Sequence, residues 1–366
     1  MSTKIPILML GATGYIGGSV LARLLAHPDA KNYDITVLVR SKDKAKKFET
    51  FGVRAIVGSF TESKLVEELS EQAHAIFSIA NSDDLPCAQA FLAGLKRRHE
   101  KLGDLPILIH TALVGTGSSY QLSPRLIILL PGLLTFGQDE VKGNTVTDTI
   151  FDDSDVQQMA SIPPTAFHRE IDLAIMQADK DGYVRTHIIY PSTVYGIASN
   201  PLVDTGIQNP HSVQIPFHIK GSLDRGRPGV VGKGIPIWGD VHIDDCVDLF
   251  IVLWDGINNS PERIGHGTNG YYFATNGEHT WYDVCKEIGR AMVALGLSKT
   301  DEPTSFTEEE LVKYFGSLWM GYYHGTNSRA RANHSLSIGW KPEHTTKDLF
   351  ESIRPEVEAY ARQLHK

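Results

Sequence analysis

The chain has 366 residues, of which 42% are hydrophobic and 21% charged, enough to bury a large core and too apolar for intrinsic disorder. Its 35 Lys and Arg against 43 Asp and Glu leave a formal net charge of −8, which excludes broad electrostatic capture of nucleic acid or anionic lipid. Any phosphate-bearing partner must be held locally.

Cys87, Cys246 and Cys285 lie far apart with no CxxC spacing, a usage that fits a reducing compartment. The N-terminal apolar run is too short for a signal h-region and is followed at once by glycines, so residues 5–10 read as a first strand in a cytoplasmic protein without a membrane span. The 15 histidines include no HExxH, HxH or paired Cys/His spacing; they read as scattered core and surface residues, and no metal is expected.

That first strand runs directly into Gly11-Ala12-Thr13-Gly14-Tyr15-Ile16-Gly17-Gly18, and a helical period occupies 14–26. Strand, glycine spacing and helix together form a dinucleotide fingerprint. Gly11 permits the tight turn, Gly14 the approach of backbone amides to a pyrophosphate, and Gly17 the packing of helix on sheet. Backbone and side chains of Thr13, Tyr15 and Ile16 are the adjoining candidates. The second strand, 34–39, ends in Arg40. An acidic residue there would bond an adenosine ribose, whereas a guanidinium suits a 2′-phosphate, so NADP(H) is favoured over NAD(H). Lys44 joins the cofactor candidates; Lys46 and Lys47 read as a solvated helix start.

Further strands are expected at 53–57, 73–80, 106–112 and 185–190, with a helix over 84–101 between the fourth and fifth. Continuous apolar strands separated by helices imply an α/β fold, a doubly wound parallel sheet of Rossmann type covered on both faces. The stretch 118–138 fits poorly: it is strongly apolar but broken by Pro131-Gly132, and reads as a lid or partner-contact patch, a buried hairpin, or translated intron. From Gly196 the chain turns Pro- and Gly-rich, implying a smaller lobe. An apolar helix near 241–255 returns to the first lobe, so residues 1–196 plus about 239–258 form the dinucleotide-binding domain and about 197–238 plus 259–366 a discontinuous substrate lobe. Within that lobe 209–217 and 235–238 should approach the ligand, while the aromatic run 316–324 reads as core filling.

GATGYIGG, Val39-Arg40, Ala80 after the fourth strand, Tyr190-Pro191-Ser192-Thr193-Val194-Tyr195-Gly196, Val241-His242-Ile243-Asp244-Asp245 and Ile338-Gly339-Trp340-Lys341-Pro342 occur in order over nearly the whole chain. In these landmarks the sequence resembles the extended or atypical short-chain dehydrogenase/reductase superfamily, with its epimerase/dehydratase and NmrA-like relatives. The resemblance implies that Pro191, Ser192 and Thr193 frame the nicotinamide, and that Ala80 and Asn81, with Ser59 where aspartate is common, line the adenine side. It also implies a Ser or Thr after the fifth strand and a Tyr-x-x-x-Lys pair on the next helix. The matching positions here carry Thr111, His168 and Asp172, so the usual dyad is absent.

His168 and Asp172 stand at i and i+4 on a helix beginning near Pro164, and a carboxylate there would orient an imidazole acting as proton donor while Thr111 binds the substrate oxygen. The alternative is a packed or capping histidine and an exposed aspartate. Tyr190 is a further proton-donor candidate; Tyr195 reads as core, His242 as a strand-end residue with a buried hydrogen bond, and Asp244-Asp245 as a helix cap. The function expected is an NADP(H)-dependent oxidoreductase acting on a small apolar carbonyl, imine or alkene metabolite. The competing expectations are a non-catalytic NADP(H) sensor and a redox-neutral isomerase or lyase. The partners expected are the small substrate and a second copy of the chain, with no nucleic acid.

Overall fold

The computed structural model describes residues 4–80, 82–112, 142–166 and 168–364; Asn81 and the stretch 118–138 lie outside them. Seven strands form the main sheet: β1 (Ile5–Leu10), β2 (Tyr33–Val39), β3 (Arg54–Val57), β4 (Ala75–Ser78), β5 (Ile107–Thr111), β6 (Arg185–Pro191) and β7 (Tyr271–Ala274). They lie in the order β7-β6-β5-β4-β1-β2-β3 and every pairing is parallel. Parallel strands need crossovers, which are supplied by α1 (Tyr15–Leu25), α2 (Lys42–Glu49), α3 (Ser63–Gln72), α4 (Leu85–Leu102) and, before β6, α5 (Arg169–Lys180). β4, β5 and nearly all of β6 are buried on both faces, including the polar His110, Thr111, Thr186 and His187 within them.

The expected doubly wound α/β sheet is present, with element ends differing by a residue or two. The expected strand 73–80 is only Ala75–Ser78, because Ile79 onward turns over the glycine loop, donating its N–H to the Leu10 carbonyl at 2.9 Å. Two features lay outside the sequence reading. β7, from the stretch expected in the smaller lobe, adds to the sheet edge beside β6. After Pro191 the chain changes sheets: Thr193–Tyr195 runs parallel to Ile237–His242, which pairs antiparallel with Gly277–Thr280. Ser192 stands at that change.

Helix α6 (Ile243–Asn259) packs back on the main sheet's flank, as its apolar face demands. Trp254 donates to the Tyr33 hydroxyl at 3.0 Å and Arg23 of α1 pairs with Asp248. Its N-cap is His242, whose Nδ1 accepts from the Asp244 N–H at 3.2 Å, so the expected capping by Asp244-Asp245 is corrected. Asp245 instead turns inward and accepts from the Glu343 and His344 amides, while its carbonyl receives the Trp340 indole at 2.8 Å. The late Gly-Trp-Lys-Pro stretch is thereby tied to the start of α6. All three cysteines are free and buried. Among the described residues no helix is long and apolar enough to cross a membrane.

Candidate active site

The chain passes from β1 to β2 and β3 on one side, then crosses to β4 on the other, so the sheet's switch point lies between β1 and β4. Ligands of open α/β sheets bind at the carboxyl ends of strands beside such a point. Here those ends carry Gly11 and Ile79. Gly11 has φ +93°, and a Cβ on it would come within 3.0 Å of the Ile79 carbonyl. A Cβ on Gly17 would come equally close to the Gly11 carbonyl, so the first helical turn seats directly on the loop. Gly14 caps α1 without any side chain, and no acidic residue lies in the first turn. The first N–H groups of α1 therefore face the loop with their partial positive charge uncompensated, an anion site by construction.

Around this cradle the expected contacts divide. Tyr15 and Ile16 are buried; the Tyr15 hydroxyl donates to the Tyr195 and Gly196 carbonyls at 3.0 and 2.5 Å, joining cradle to the second sheet. The Thr13 carbonyl accepts from the Asn209 N–H at 3.1 Å, and Gln208 donates to the Tyr15 carbonyl at 2.9 Å and to Ser19 at 2.7 Å. Ser192 gives both its N–H and hydroxyl to Ala274, while Thr193 keeps a buried hydroxyl with no partner among the described residues. Ala80 is half-buried beyond β4, and Ser59 bonds Thr61 in an exposed turn.

At the end of β2, Arg40 is exposed. Lys44 lies half-buried beside it, its ammonium on the Ile207 carbonyl at 2.6 Å; burial lowers its pKa, and the positive charges of Lys47 and Arg40 add to the effect. Lys47, expected to be merely solvated, donates to the Thr205 carbonyl at 2.7 Å. Three cations thus gather at the strand end where a ribose substituent lies in this fold type.

At the carboxyl end of β5, Thr111 is buried and its hydroxyl has no hydrogen-bond partner among the described residues. His168 is buried at the N-cap of α5 with φ +66°, a left-handed conformation that non-glycine residues rarely adopt. The sequence reading had Asp172 orient this imidazole; the correction is that Asp83 pairs with His168 Nδ1, with Ser82 3.3 Å from the same nitrogen. The helix begins at Arg169, not near Pro164, which leaves His168 on the cap where it meets the loop after β4. His110, one residue before Thr111, lies 3.2 Å from Ser78, and burial, reinforced by His168, pushes its pKa down to about 3.

Asp172 is not exposed either. It accepts from the Tyr190 hydroxyl of β6, and its other oxygen has no partner among the described residues. Burial lifts its carboxyl to about 6 against the pull of Tyr190 and Arg169. Arg169, also buried, donates to the Tyr271 hydroxyl at 2.6 Å and the Met159 carbonyl at 3.0 Å. Burial, and next the Asp172 charge, hold the Tyr190 phenol well above its ordinary value. Tyr195 is core: its hydroxyl donates to the Thr345 carbonyl at 2.8 Å.

Sequence reasoning missed Asp83 and Ser82, although an Asn-Ser-Asp-Asp run directly after a predicted strand marks a carboxyl-end loop. It also missed Gln208 and the Arg169–Tyr271 contact, which only the fold brings together. Residues 209–217 run past the cradle through Asn209. Trp238 is buried; within 316–324 Tyr323 and His324 are buried, Trp319, Met320 and Tyr322 are half-buried and Gly316 is exposed, and His324 packs edge-on to Phe217 and tilted on Phe315.

Residues 3–93 match the NmrA-like family. Over 96% of its length the chain is 28% identical to the oxidase ucsJ of an Acremonium species, covering 97% of that protein, and is thus its distant homologue. Among solved structures it is similar to UDP-glucose 4-epimerase of Thermotoga maritima, with a TM-score of 0.60 at 13% identity over 98% of this chain and 100% of that one. It is similar as well to dTDP-glucose 4,6-dehydratase of Bacillus anthracis in complex with NAD, with a TM-score of 0.58 at 16% identity over 98% and 97%. Residues 3–93 are thus similar to the NmrA-like family, and the fold is similar to those of the epimerase and the dehydratase.

Proposed function

We propose that the chain is an NADP(H)-dependent oxidoreductase acting on a small apolar carbonyl, imine or alkene. The observation that carries this reading is the uncapped α1 N-terminus on a loop closed to any side chain, next to the Arg40, Lys44 and Lys47 cluster. Those groups fit a dinucleotide: the amides of α1 hold the pyrophosphate, and Arg40 neutralises the 2′-phosphate. Its likeness to an oxidase supports redox chemistry.

A bound nicotinamide supplies or accepts a hydride. The chain's part is the proton. His168, held at Nδ1 by Asp83, is the proton donor and acceptor from Nε2, and the unpartnered Thr111 hydroxyl receives the substrate oxygen. In reduction His168 would give its proton to the heteroatom of a carbonyl or imine, or to the neighbouring carbon of an alkene, and would be reprotonated from solvent. One observation favours a second reading, the sensor: the lysine position of the dyad holds Asp172, tied to Tyr190 and buried, which offers no ammonium to a ribose.

Calorimetry with NADPH and NADH on wild type and Arg40→Glu tests the binding reading; NADPH should lose at least about tenfold in affinity in the variant, and NADH little. Absorbance assays over a carbonyl, imine and enone panel separate enzyme from sensor. Turnover abolished by His168→Asn supports the first; NADPH binding with no turnover on any substrate sinks it.

A further inference from the structure

At the end of the sheet away from the cradle, where β6 and β7 begin, a cleft of about 710 Å³ opens between the second half of α5 and residues 264–269. That volume lies within the range of small-molecule sites. Leu173 and Met176 of α5, both half-buried, and the buried Ile264 give it apolar walls. A set of committed polar groups builds its frame. Asp179 accepts from the Thr186 N–H at 2.7 Å and hydroxyl at 3.3 Å, and His266 Nδ1 lies 2.9 and 3.0 Å from its two oxygens. Arg185 donates to His266 Nε2; a guanidinium can only donate, so the imidazole hydrogen sits on Nδ1 and faces Asp179. Gly267 has φ +59° and packs on the same carboxylate, which a Cβ there would meet at 2.7 Å. The 264–269 chain is thereby pinned to the last turn of α5, leaving the gap in front of Leu173 and Met176.

With Asp179 and Arg185 committed to the frame, Asp181 is taken by the Gln177 amide at 2.6 Å. Lys180 also lines the cleft, is exposed, and has no hydrogen-bond or ion-pair partner among the described residues. Its charge offsets the negative end of the α5 dipole while its three donors stay available. Thr268 and Asn269, exposed on the facing side, offer a hydroxyl and an amide. Apolar walls with an ammonium and two neutral donors at the mouth suit one ligand class, an apolar molecule ending in a carboxylate.

We propose that this cleft is a small-molecule site separate from the dinucleotide cradle, taking an apolar monocarboxylate with its charge on Lys180 and its tail on Leu173, Met176 and Ile264, and that its occupancy stiffens the turn carrying His168. Met176 makes the connection. Its sulfur accepts from the Tyr271 hydroxyl at 2.6 Å, and that hydroxyl accepts at 2.6 Å from Arg169, the residue after His168. A thioether side chain is flexible and repacks easily, so a tail seated against Met176 fixes the sulfur beneath Tyr271. Tyr271 in turn steadies Arg169 and the first turn of α5, where the Ile171 and Asp172 N–H groups donate to the His168 carbonyl at 3.1 and 3.2 Å. Binding here stands without the NADP(H) reading; only an effect on turnover would rest on it.

The test titrates the full chain by calorimetry with decanoate, and with decanol as the uncharged analogue. Lys180→Glu should weaken decanoate at least about tenfold and decanol less than about twofold. Thr268→Trp, which fills the mouth, should weaken both at least about tenfold. Both positions are exposed, so both variants keep the fold, and NADPH binding should be the same in each as in wild type. Decanoate should slow amide exchange at Ile171 and Asp172 at least about threefold in wild type and leave it unchanged in Thr268→Trp. If wild type takes up no decanoate, or both variants bind it as wild type does, the site is overturned, whatever NADPH does. If exchange at 171 and 172 ignores bound decanoate, the connection to His168 is overturned.

Discussion

Acid should unfold this protein well before its surface carboxylates titrate. Burial holds His110 and His187 down to about 3 and His324 to about 4, against an ordinary value of 6.5, and His218 lies well below it too. All are neutral in the native state, whereas the unfolded chain takes up a proton at each as pH falls past 6.5. Asp172 acts in the opposite sense. Burial lifts its carboxyl from 3.8 to about 6, so between those values the native state holds a proton that the unfolded chain has released. Among these four histidines and this aspartate, the unfolded state carries 4 − 1 = 3 more protons between about pH 6 and 5. Stability rises with pH wherever the unfolded state binds more protons, so acidification removes about 4 kcal/mol per pH unit through these groups. Whole domains have only about 5–15 kcal/mol to lose. Urea unfolding followed by tryptophan fluorescence should therefore give a flat midpoint above about pH 7 and a collapsing one between about 6.5 and 5. His187 Nδ1 lies 2.9 Å from the Gly265 carbonyl, so His187→Asn keeps a donor there while removing one proton from the count. That variant should lower the slope by about a third. A midpoint unchanged from about pH 7.5 to 5 would refute the neutral burial of these rings.

Gly17→Ala forces a methyl against the Gly11 carbonyl; about 1–3 kcal/mol of stability should be lost and the thermal shift produced by NADPH should vanish. Asp172→Ala leaves the Arg169 guanidinium buried without its nearby carboxylate and should cost about 3–5 kcal/mol in chemical denaturation, whereas Asp172→Asn, which still accepts from Tyr190, should cost less than half of that.

The parallel sheet and the cradle were legible because each rests on local sequence. β1 is an uninterrupted apolar run, the glycines sit at fixed offsets from it, and Arg40 follows β2 directly. The fate of the charged side chains was not, since each is decided by a residue distant in sequence. Lys47 reads as solvent-facing until Thr205 is brought beside it, 158 positions away. Asp172 reads as an exposed i+4 partner because helical spacing is the only geometry a sequence displays; Tyr190, on the strand that follows the helix, meets it only once α5 folds back on β6. The cap of α6 was missed for a different reason. Aspartate is the better capping residue by type, but Asp245 is drawn inward by the amides of 343 and 344, leaving the preceding His242 to bond the helix.

The buried polar groups around His168 make physical sense only as a set. His168 would lie buried with nothing to fix its ring, and Asp83 from the loop after β4 meets it. Asp172 would be a buried charge facing the sheet, and Tyr190 donates to it while Arg169 sits alongside. Arg169 in turn is held by Tyr271 from β7 at the sheet edge. The set therefore reaches across α5, β6 and β7 and into the loop after β4. Replacing one member alone would strand its partner without a counterpart, and the left-handed backbone of His168 at the centre of the set is where a function should be sought first.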